Sequence, residues 1–339
     1  MPRPLGRGAS LIAQDGQKER KQMKRKVTLR VLVAVGFLAV AALGNAGDWT
    51  RTYLPVHAAE AATKQVAIDN AGNVFVLATC VTDGDMEEAV VVKYDQNGTF
   101  QWCYPQYDPE HPNDTTNDEA VAFVLAGPLM GPADAVLIAA KALPDEENEL
   151  DNDYLVRRVN AATGGQEWAT RFVRVGDDQP AGIGLHPGSW VAVSGTAYMD
   201  ETDAQDFYTV WFNWDGSLRA GAPFHQWPRP VGPPVDSARA VTVDGSGNLY
   251  ITGTTNSSPA QQGYDYDFCT VSYGPDCAYR WSAIRHQLGT NATATRVAAL
   301  ESQGEVYVAG DLLWLDAENE VWRDTLLVMS YGLDRKSVV

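Results

Sequence analysis

From about residue 62 onward, short apolar runs separated by turn residues recur along the chain. Val74-Phe75-Val76-Leu77, Leu249-Tyr250-Ile251 and Val306-Tyr307-Val308 are rich in β-branched and aromatic residues and are bounded by Gly, Asn or Asp, the pattern of β-strands. They are apolar at successive positions rather than at alternate ones. Such a strand is buried on both faces. The stretch from Asp236 to Trp281 shows the whole unit. A first strand carries small residues, Ala238 and Ala240. The turn Asp244-Gly245-Ser246-Gly247-Asn248 leads to an apolar strand ending at Gly253, and a third strand runs from Asp267 to Tyr273. A last tight turn precedes a strand bearing Trp281.

The same order recurs five times. The residue closing the third strand falls at Tyr94, Val159, Phe212, Tyr273 and Tyr331, at intervals of 65, 53, 61 and 58 residues. Unequal intervals put the variation into loops and leave the strands fixed. A four-stranded antiparallel sheet flanked by two like it supplies the two-sided burial, whereas a two-layer sandwich would show an alternating polar face. Small residues at Ala120, Ala122, Ala181 and Gly182 suit strands crowded near an axis. Trp102, Trp168 and Trp281 stand on fourth strands, where a large ring can wedge between neighbours. The expectation is an all-β, five-bladed β-propeller of four-stranded antiparallel blades. The blades fall at 62–103, 118–170, 178–221, 236–283 and 293–339. The fifth unit lacks its Trp strand, and residues 47–54 look like a fourth strand with no blade of their own. Pairing the two, with Trp49 in the last blade, would close the ring and remove exposed edges.

Residues 1–46 read as an extension and export signal outside this domain of 47–339. A basic cluster, Lys24, Arg25, Lys26 and Arg30, precedes an apolar run from Val31 to Leu43 and the small residues of Gly44-Asn45-Ala46. The apolar run is short for a membrane span. Met23 sits directly before the cluster, so the first 22 residues read as an over-extended start or a long leader. The chain carries a net charge of −17. Cleavage after Ala46 removes nine basic and two acidic residues and leaves −24. That surface repels nucleic acid and anionic lipid. The expected product is a secreted monomer of the periplasm or cell surface with no membrane span. Its partner would be an extracellular protein or polysaccharide.

Units of this form resemble the SBBP, or bacterial β-propeller repeat, family. The residues carrying the resemblance are Asn73-Val74-Phe75-Val76 with Val92-Lys93-Tyr94, and Gly247-Asn248-Leu249-Tyr250. The resemblance implies the propeller fold and a secreted or surface-attached protein; seven blades are usual in the family, and many members have no assigned activity. The run Asn160 to Trp168 also resembles the tryptophan-docking motif of PQQ-type propellers, in which a Thr-Gly turn and a Trp lock adjacent blades. Cofactor use in those proteins needs adjacent cysteines, which this chain lacks.

Candidate chemistry rests on carboxylates. Asp118, Asp178 and Asp236 open first strands, and Asp153, Asp206, Asp267 and Asp324 open third strands. First and third strands of an antiparallel sheet run the same way, so all seven are expected on one face of the disc. That face is the expected ligand-binding surface. Hard oxygen ligands make Ca²⁺ a candidate ion, with Asp83, Asp85, Asp151 and Asp153 as its candidate ligands, although no DxDxDG loop is present. The histidines His57, His111, His186, His225 and His286 are isolated and form no catalytic motif. Cys80 with Cys103 and Cys269 with Cys277 could pair in an oxidising compartment, or remain buried thiols. With no nucleophile motif, the expected role is a non-catalytic binding or scaffold module. The alternative is an extracellular carbohydrate-active enzyme using carboxylates of the acidic face.

Overall fold

A computed structural model describes residues 49–53, 58–82, 86–105, 117–127, 133–143, 151–174, 176–186, 190–199, 204–219, 224–226, 236–256, 266–285, 290–316 and 321–333. The expected export signal lies outside them. Among the described residues nineteen strands form five antiparallel sheets, each built from consecutive strands. Sheet 1 holds β1 (Ala58–Ile68), β2 (Val74–Thr82), β3 (Glu87–Tyr94) and β4 (Phe100–Tyr104). Sheet 2 holds β5 (Asp118–Ala126), β6 (Ala135–Ala142), β7 (Asp153–Asn160) and β8 (Gln166–Phe172). Sheet 3 holds β9 (Asp178–His186), β10 (Trp190–Met199), β11 (Ala204–Asn213) and β12 (Phe224–Gln226). Sheet 4 holds β13 (Ser237–Val243), β14 (Leu249–Asn256), β15 (Tyr266–Tyr273) and β16 (Tyr279–Arg285). Sheet 5 has three strands, β17 (Thr290–Leu300), β18 (Glu305–Asp316) and β19 (Val321–Gly332).

The sheets stack face to face, and the cores lie between them. Phe75, Leu77 and Val91 of sheet 1 meet Phe123, Val136 and Ile138 of sheet 2. Similar cores join sheets 2 and 3, 3 and 4, and 4 and 5. This is why β2 and β6 are buried on both sides, as their uninterrupted apolar runs require. Hairpin turns are fixed by aspartates. Asp95 Oδ1 accepts the amide N–H of Asn97 and of Thr99, both at 2.8 Å, and Asp244 Oδ1 does the same for Ser246 and Asn248. Each first strand has a register shift near its middle. In sheet 4 the facing residue is Gly253, where a Cβ would lie 2.0 Å from the carbonyl oxygen of Ser237.

Each sheet is fastened to the next through an indole. Trp102 of β4 donates its Nε1–H to Ala161 O in the β7–β8 turn at 3.1 Å. Trp168 of β8 donates to Trp214 O after β11 at 3.1 Å, and Trp281 of β16 to Leu333 O after β19 at 3.2 Å. The rings lie on glycines of those turns. A Cβ at Gly164 would come within 2.8 Å of Trp102, and one at Gly216 within 2.6 Å of Trp168. Both glycines have φ near +80°, at +75° and +84°, which L side chains adopt at a cost. Sheet 3 departs from this plan. Its fourth strand is short, and the donor to sheet 4 is Trp190 of β10, whose Nε1–H reaches Pro275 O at 2.8 Å. There the turn position with φ of 67° is held by Cys277 instead of glycine.

Trp49 occupies the same seat on sheet 1. It covers Gly98, where a Cβ would lie 2.5 Å from its ring, and its centroid is 5.8 Å from that of Tyr94. The expected closing strand is not found, however. Among the described residues Trp49–Tyr53 form no strand, and β19 pairs with β18 alone. Arg51 Nε donates to Gly98 O at 2.6 Å and Tyr53 stacks on Phe100 at 5.1 Å, so the segment is held on sheet 1.

The docking contact can be tested by comparing two left-handed glycines. Gly304 has φ of +67° and nothing near its missing Cβ, so Gly304→Ala is expected to cost about 1–2 kcal/mol from backbone strain alone. Gly216→Ala adds a clash with Trp168 and should cost about 3 kcal/mol or more in urea unfolding. Equal losses would remove the steric role of the turn glycine.

Candidate functional site

The first and third strands begin on one face, and their acidic residues meet at the sheet junctions. Asp118, Asp178 and Asp236 at the starts of first strands are fully buried. Asp153, Asp206 and Asp267 hold one register position on third strands, opposite Ala142, Ala197 and Thr255. They too are buried. The equivalent position in sheet 1 is Glu88, opposite Cys80. In sheet 5 it is Thr325, opposite Leu312. Asp324 lies one residue earlier, opposite Leu313, and is exposed. A one-residue offset turns a strand side chain to the other face, so Asp324 does not join the other six.

At the junction of sheets 1 and 2, Asp118 Oδ1 accepts the Ala89 amide at 2.9 Å and Arg157 Nη1 at 3.1 Å, and Arg157 Nη2 donates to Oδ2. Arg157 is itself buried. Glu88 stands beside this ion pair and is half-buried. Burial, and then the charge of Asp118, push its carboxyl up to about 7, against the opposing pull of Arg157. Burial lifts the nearby Tyr104 phenol to about 12.

At the junction of sheets 2 and 3, Asp153 Oδ2 accepts from Arg171 Nε at 2.7 Å and its Oδ1 from the Arg174 amide at 3.3 Å. Arg174 Nε lies 3.9 Å from the Asp178 carboxylate, both of whose buried oxygens lack a short hydrogen bond among the described residues. Burial pushes its carboxyl up to about 7; Arg174 opposes the shift and Asp153 reinforces it. Asp151 accepts the Gly176 amide at 3.0 Å. At the junction of sheets 3 and 4, Thr255 Oγ1 donates to Asp236 Oδ1 at 2.6 Å, and the Asp236 amide donates to Gln205 O at 2.9 Å.

The metal reading gains no support from this geometry. Among the described residues no three His, Cys, Asp or Glu side chains converge to hold an ion. Asp83 and Asp85 lie outside the described residues, and Asp151 and Asp153 are engaged by amides and by Arg171. All four cysteines are free thiols, so neither considered disulfide is present. Burial pushes the Cys80 thiol up to about 12 and those of Cys103 and Cys277 to about 11. Glu88 is the acid at the shared third-strand register that strand-start reasoning passed over, and its signal was its place six residues before Tyr94, matching Asp153 before Val159.

Five sheets on one plan, each fastened to the next by an indole, define a repeat protein of propeller type. Residues 231–259 match the SBBP beta-propeller repeat model, and this repeat spans β13 and β14. No curated protein sequence matches the chain significantly. Among solved structures, a thermostable family-43 glycoside hydrolase is similar at 10% identity and TM-score 0.43, over 85% of this chain and 98% of that one. A levansucrase variant of B. megaterium is similar at 10% identity and TM-score 0.40, over 80% and 82%. A subtype N11 neuraminidase-like protein of a flat-faced bat A strain is similar at 12% identity and TM-score 0.38, over 81% and 89%. Against the expected non-catalytic binding or scaffold role, the similar structures carry the names of a glycoside hydrolase, a levansucrase and a neuraminidase-like protein, and likeness this low carries no role across to this chain. Similarity this low says nothing of which residues act here, and that rests on the chain's own carboxyls.

The raised acid at Asp178 has a consequence for stability. An unfolded Asp titrates near ~4. The folded form holds its proton up to about 7, so the stability it contributes is present below pH ~4 and is lost as pH rises through about 7. Asp178→Asn should therefore raise the melting temperature at pH 8 by several degrees and change it little at pH 4. An equal shift at both pH values would show that Asp178 does not titrate in this window.

Proposed function

We propose that this chain is an extracytoplasmic enzyme acting on carbohydrate, with Glu88 as its proton donor. The observation that carries the reading is a half-buried carboxyl, pushed up to about 7, standing beside the buried Asp118–Arg157 pair. Glycosidic bond cleavage needs two unlike carboxyl groups: one protonated to give its proton to the leaving oxygen, the other charged to face the developing cation. Glu88 supplies the first. Both Asp118 oxygens are engaged by Arg157 and the Ala89 amide, so Asp118 is held in place beside Glu88 and does not act as a nucleophile. Water makes the attack and gives its proton to the Glu88 carboxylate left by the donation. The five sheets are read as five blades of one propeller, and export follows from the leader. A polymeric substrate outside the cell fits both the export and the carboxylate face.

A panel of polysaccharides and aryl glycosides tests the reading. Release of reducing ends is expected, with kcat/KM falling as pH rises through about 7, because the donor must be protonated. Glu88→Gln should lower kcat by about 10²–10⁴ with the fold intact. A folded protein inert towards every glycan in the panel, or an unchanged kcat in Glu88→Gln, would remove the assignment.

A further inference from the structure

Glu88 is gripped from the neighbouring sheet on both sides of its backbone. Amides two residues apart on a strand point to the same edge, and β4 follows that edge of β3 only as far as Val91, which faces Tyr104. Beyond it the Ala89 amide donates to Asp118 Oδ1 at 2.9 Å, and the Glu87 amide donates to Asn117 Oδ1 at 3.2 Å. Asn117 directly precedes β5 and Asp118 begins it. Asp118 is fixed in turn by Arg157 of β7, whose Nη1 lies 3.1 Å from Oδ1. Two consecutive side chains of sheet 2 thus take over from the fourth strand, with Glu88 between the amides they hold.

The Asn117 bond has counterparts at other junctions. The residue before the third-strand acid is Glu87 in sheet 1, Asn152 in sheet 2 and Tyr266 in sheet 4. The Asn152 amide donates to Asp177 Oδ1 at 3.0 Å, and the Tyr266 amide to Asn291 Oδ1 at 3.4 Å. Each acceptor directly precedes the position that matches Asp118, which is Asp178 in sheet 3 and Ala292 in sheet 5. Asn and Asp therefore both fill this seat. At the junction of sheets 1 and 2 the seat lies beside a carboxyl that is half-buried instead of sealed in. Asp118 and Arg157 supply the charge around that carboxyl. The nearby Cys80, Cys103 and Tyr104 hold their protons up to about 12, 11 and 12.

We propose that Asn117 and Asp118 are positioning residues for Glu88, gripping the two amides that flank it so that sheet 2 sets where the carboxyl of sheet 1 stands. The inference rests on the reading of Glu88 as proton donor. A donor displaced by about 1 Å can lose on the order of a hundredfold in rate, so a fixed backbone on both sides has a direct chemical use. Asn117 is the better handle, because removing Asp118 would leave Arg157 buried without its partner. The Asn117 carbonyl separately accepts the Leu143 amide at 2.9 Å, so Asn117→Ala deletes the side-chain bond and keeps the start of β5 anchored.

Three variants of the full chain test this, Asn117→Ala, Asn117→Asp and Asn291→Ala, followed by glycan turnover and by NMR titration of the Glu88 carboxyl. Asn117→Ala is expected to lower kcat roughly tenfold to a hundredfold with KM little changed. Its Glu88 midpoint should fall below about 7 as the loosened carboxyl reaches water. Asn117→Asp keeps the acceptor and should restore kcat, with the midpoint at about 7 or above because the added charge raises it. Asn291→Ala removes the same bond far from Glu88 and should leave kcat unchanged. An unaltered kcat and midpoint in Asn117→Ala would overturn the proposal, as would no recovery in Asn117→Asp or an equal loss in Asn291→Ala. A loss of kcat in Glu88→Gln with none in Asn117→Ala would overturn the positioning role and leave the donor standing. No loss in Glu88→Gln would overturn both.

Discussion

The structure depends on an indole ring laid across a hairpin turn of the next sheet. A four-stranded sheet with two apolar faces cannot stand alone in water, and its stability comes from the neighbour that covers each face. The tryptophans set where that neighbour sits. The ring contributes a large apolar area, and its N–H needs an acceptor once buried, so it fits one position on the neighbour and not a range of them. The acceptor is a turn carbonyl with two lone pairs, and the second is also used. Lys93 Nζ reaches Ala161 O at 2.7 Å beside Trp102, and Arg158 Nη1 reaches Trp214 O at 3.2 Å beside Trp168. Lys93 is buried, which lowers its pKa, and its ammonium lies 5.2 Å from the Phe75 ring centroid. Sheet, turn and cation are thus fixed together, and the turn must be glycine where the ring lies flat on it.

The junction between sheets 3 and 4 shows what part of this is obligatory. Among the described residues no tryptophan comes from a fourth strand there, yet Pro275 O receives an indole N–H, sent by Trp190 from the second strand. The acceptor is kept and the donor is replaced. Because the ring arrives from the second strand, Cys277 can hold the left-handed position despite its Cβ, and its thiol is buried among Leu249, Val271 and Tyr273. The constraint is therefore a satisfied carbonyl and a filled junction, and the glycine follows only from the usual route of filling it.

Much of this was legible in the chain. Strands with consecutive apolar residues, bounded by Asp-x-x-Gly, require two-sided burial and tight turns, and the aspartates hold those turns with their own oxygens. Other features depended on register, which a single chain states poorly. Asp324 sits among acids as Asp153 and Asp206 do, but it is one residue out of step and turns outward. Trp190 carries no local mark of its docking role, because the carbonyl it reaches, Pro275 O, lies 85 residues further along the chain. The expected ring closure rested on Trp49, which does take a blade-to-blade seat, on Gly98. That seat records what sheet 1 accepts, and the described residues of the segment form no strand.

The acidic face follows from the same stacking. Each junction brings the start of one third strand against the start of the next first strand, and an acid at both places puts two carboxyls in one low-dielectric gap. Two buried anions side by side are costly, and the junctions meet that cost differently. Arg157 neutralises Asp118, Arg171 neutralises Asp153, and Asp178 keeps its proton more tightly. Only at sheet 1 is the third-strand acid a glutamate. Its extra methylene leaves the carboxyl half-buried where Asp153, Asp206 and Asp267 are sealed in. Burial raises Glu88 as it raises Asp178, and of the two only Glu88 is part-exposed. In the proposed function the step from structural carboxylate to chemical one is thus a matter of reach, a single CH₂ at a position that sheets 2, 3 and 4 use for packing.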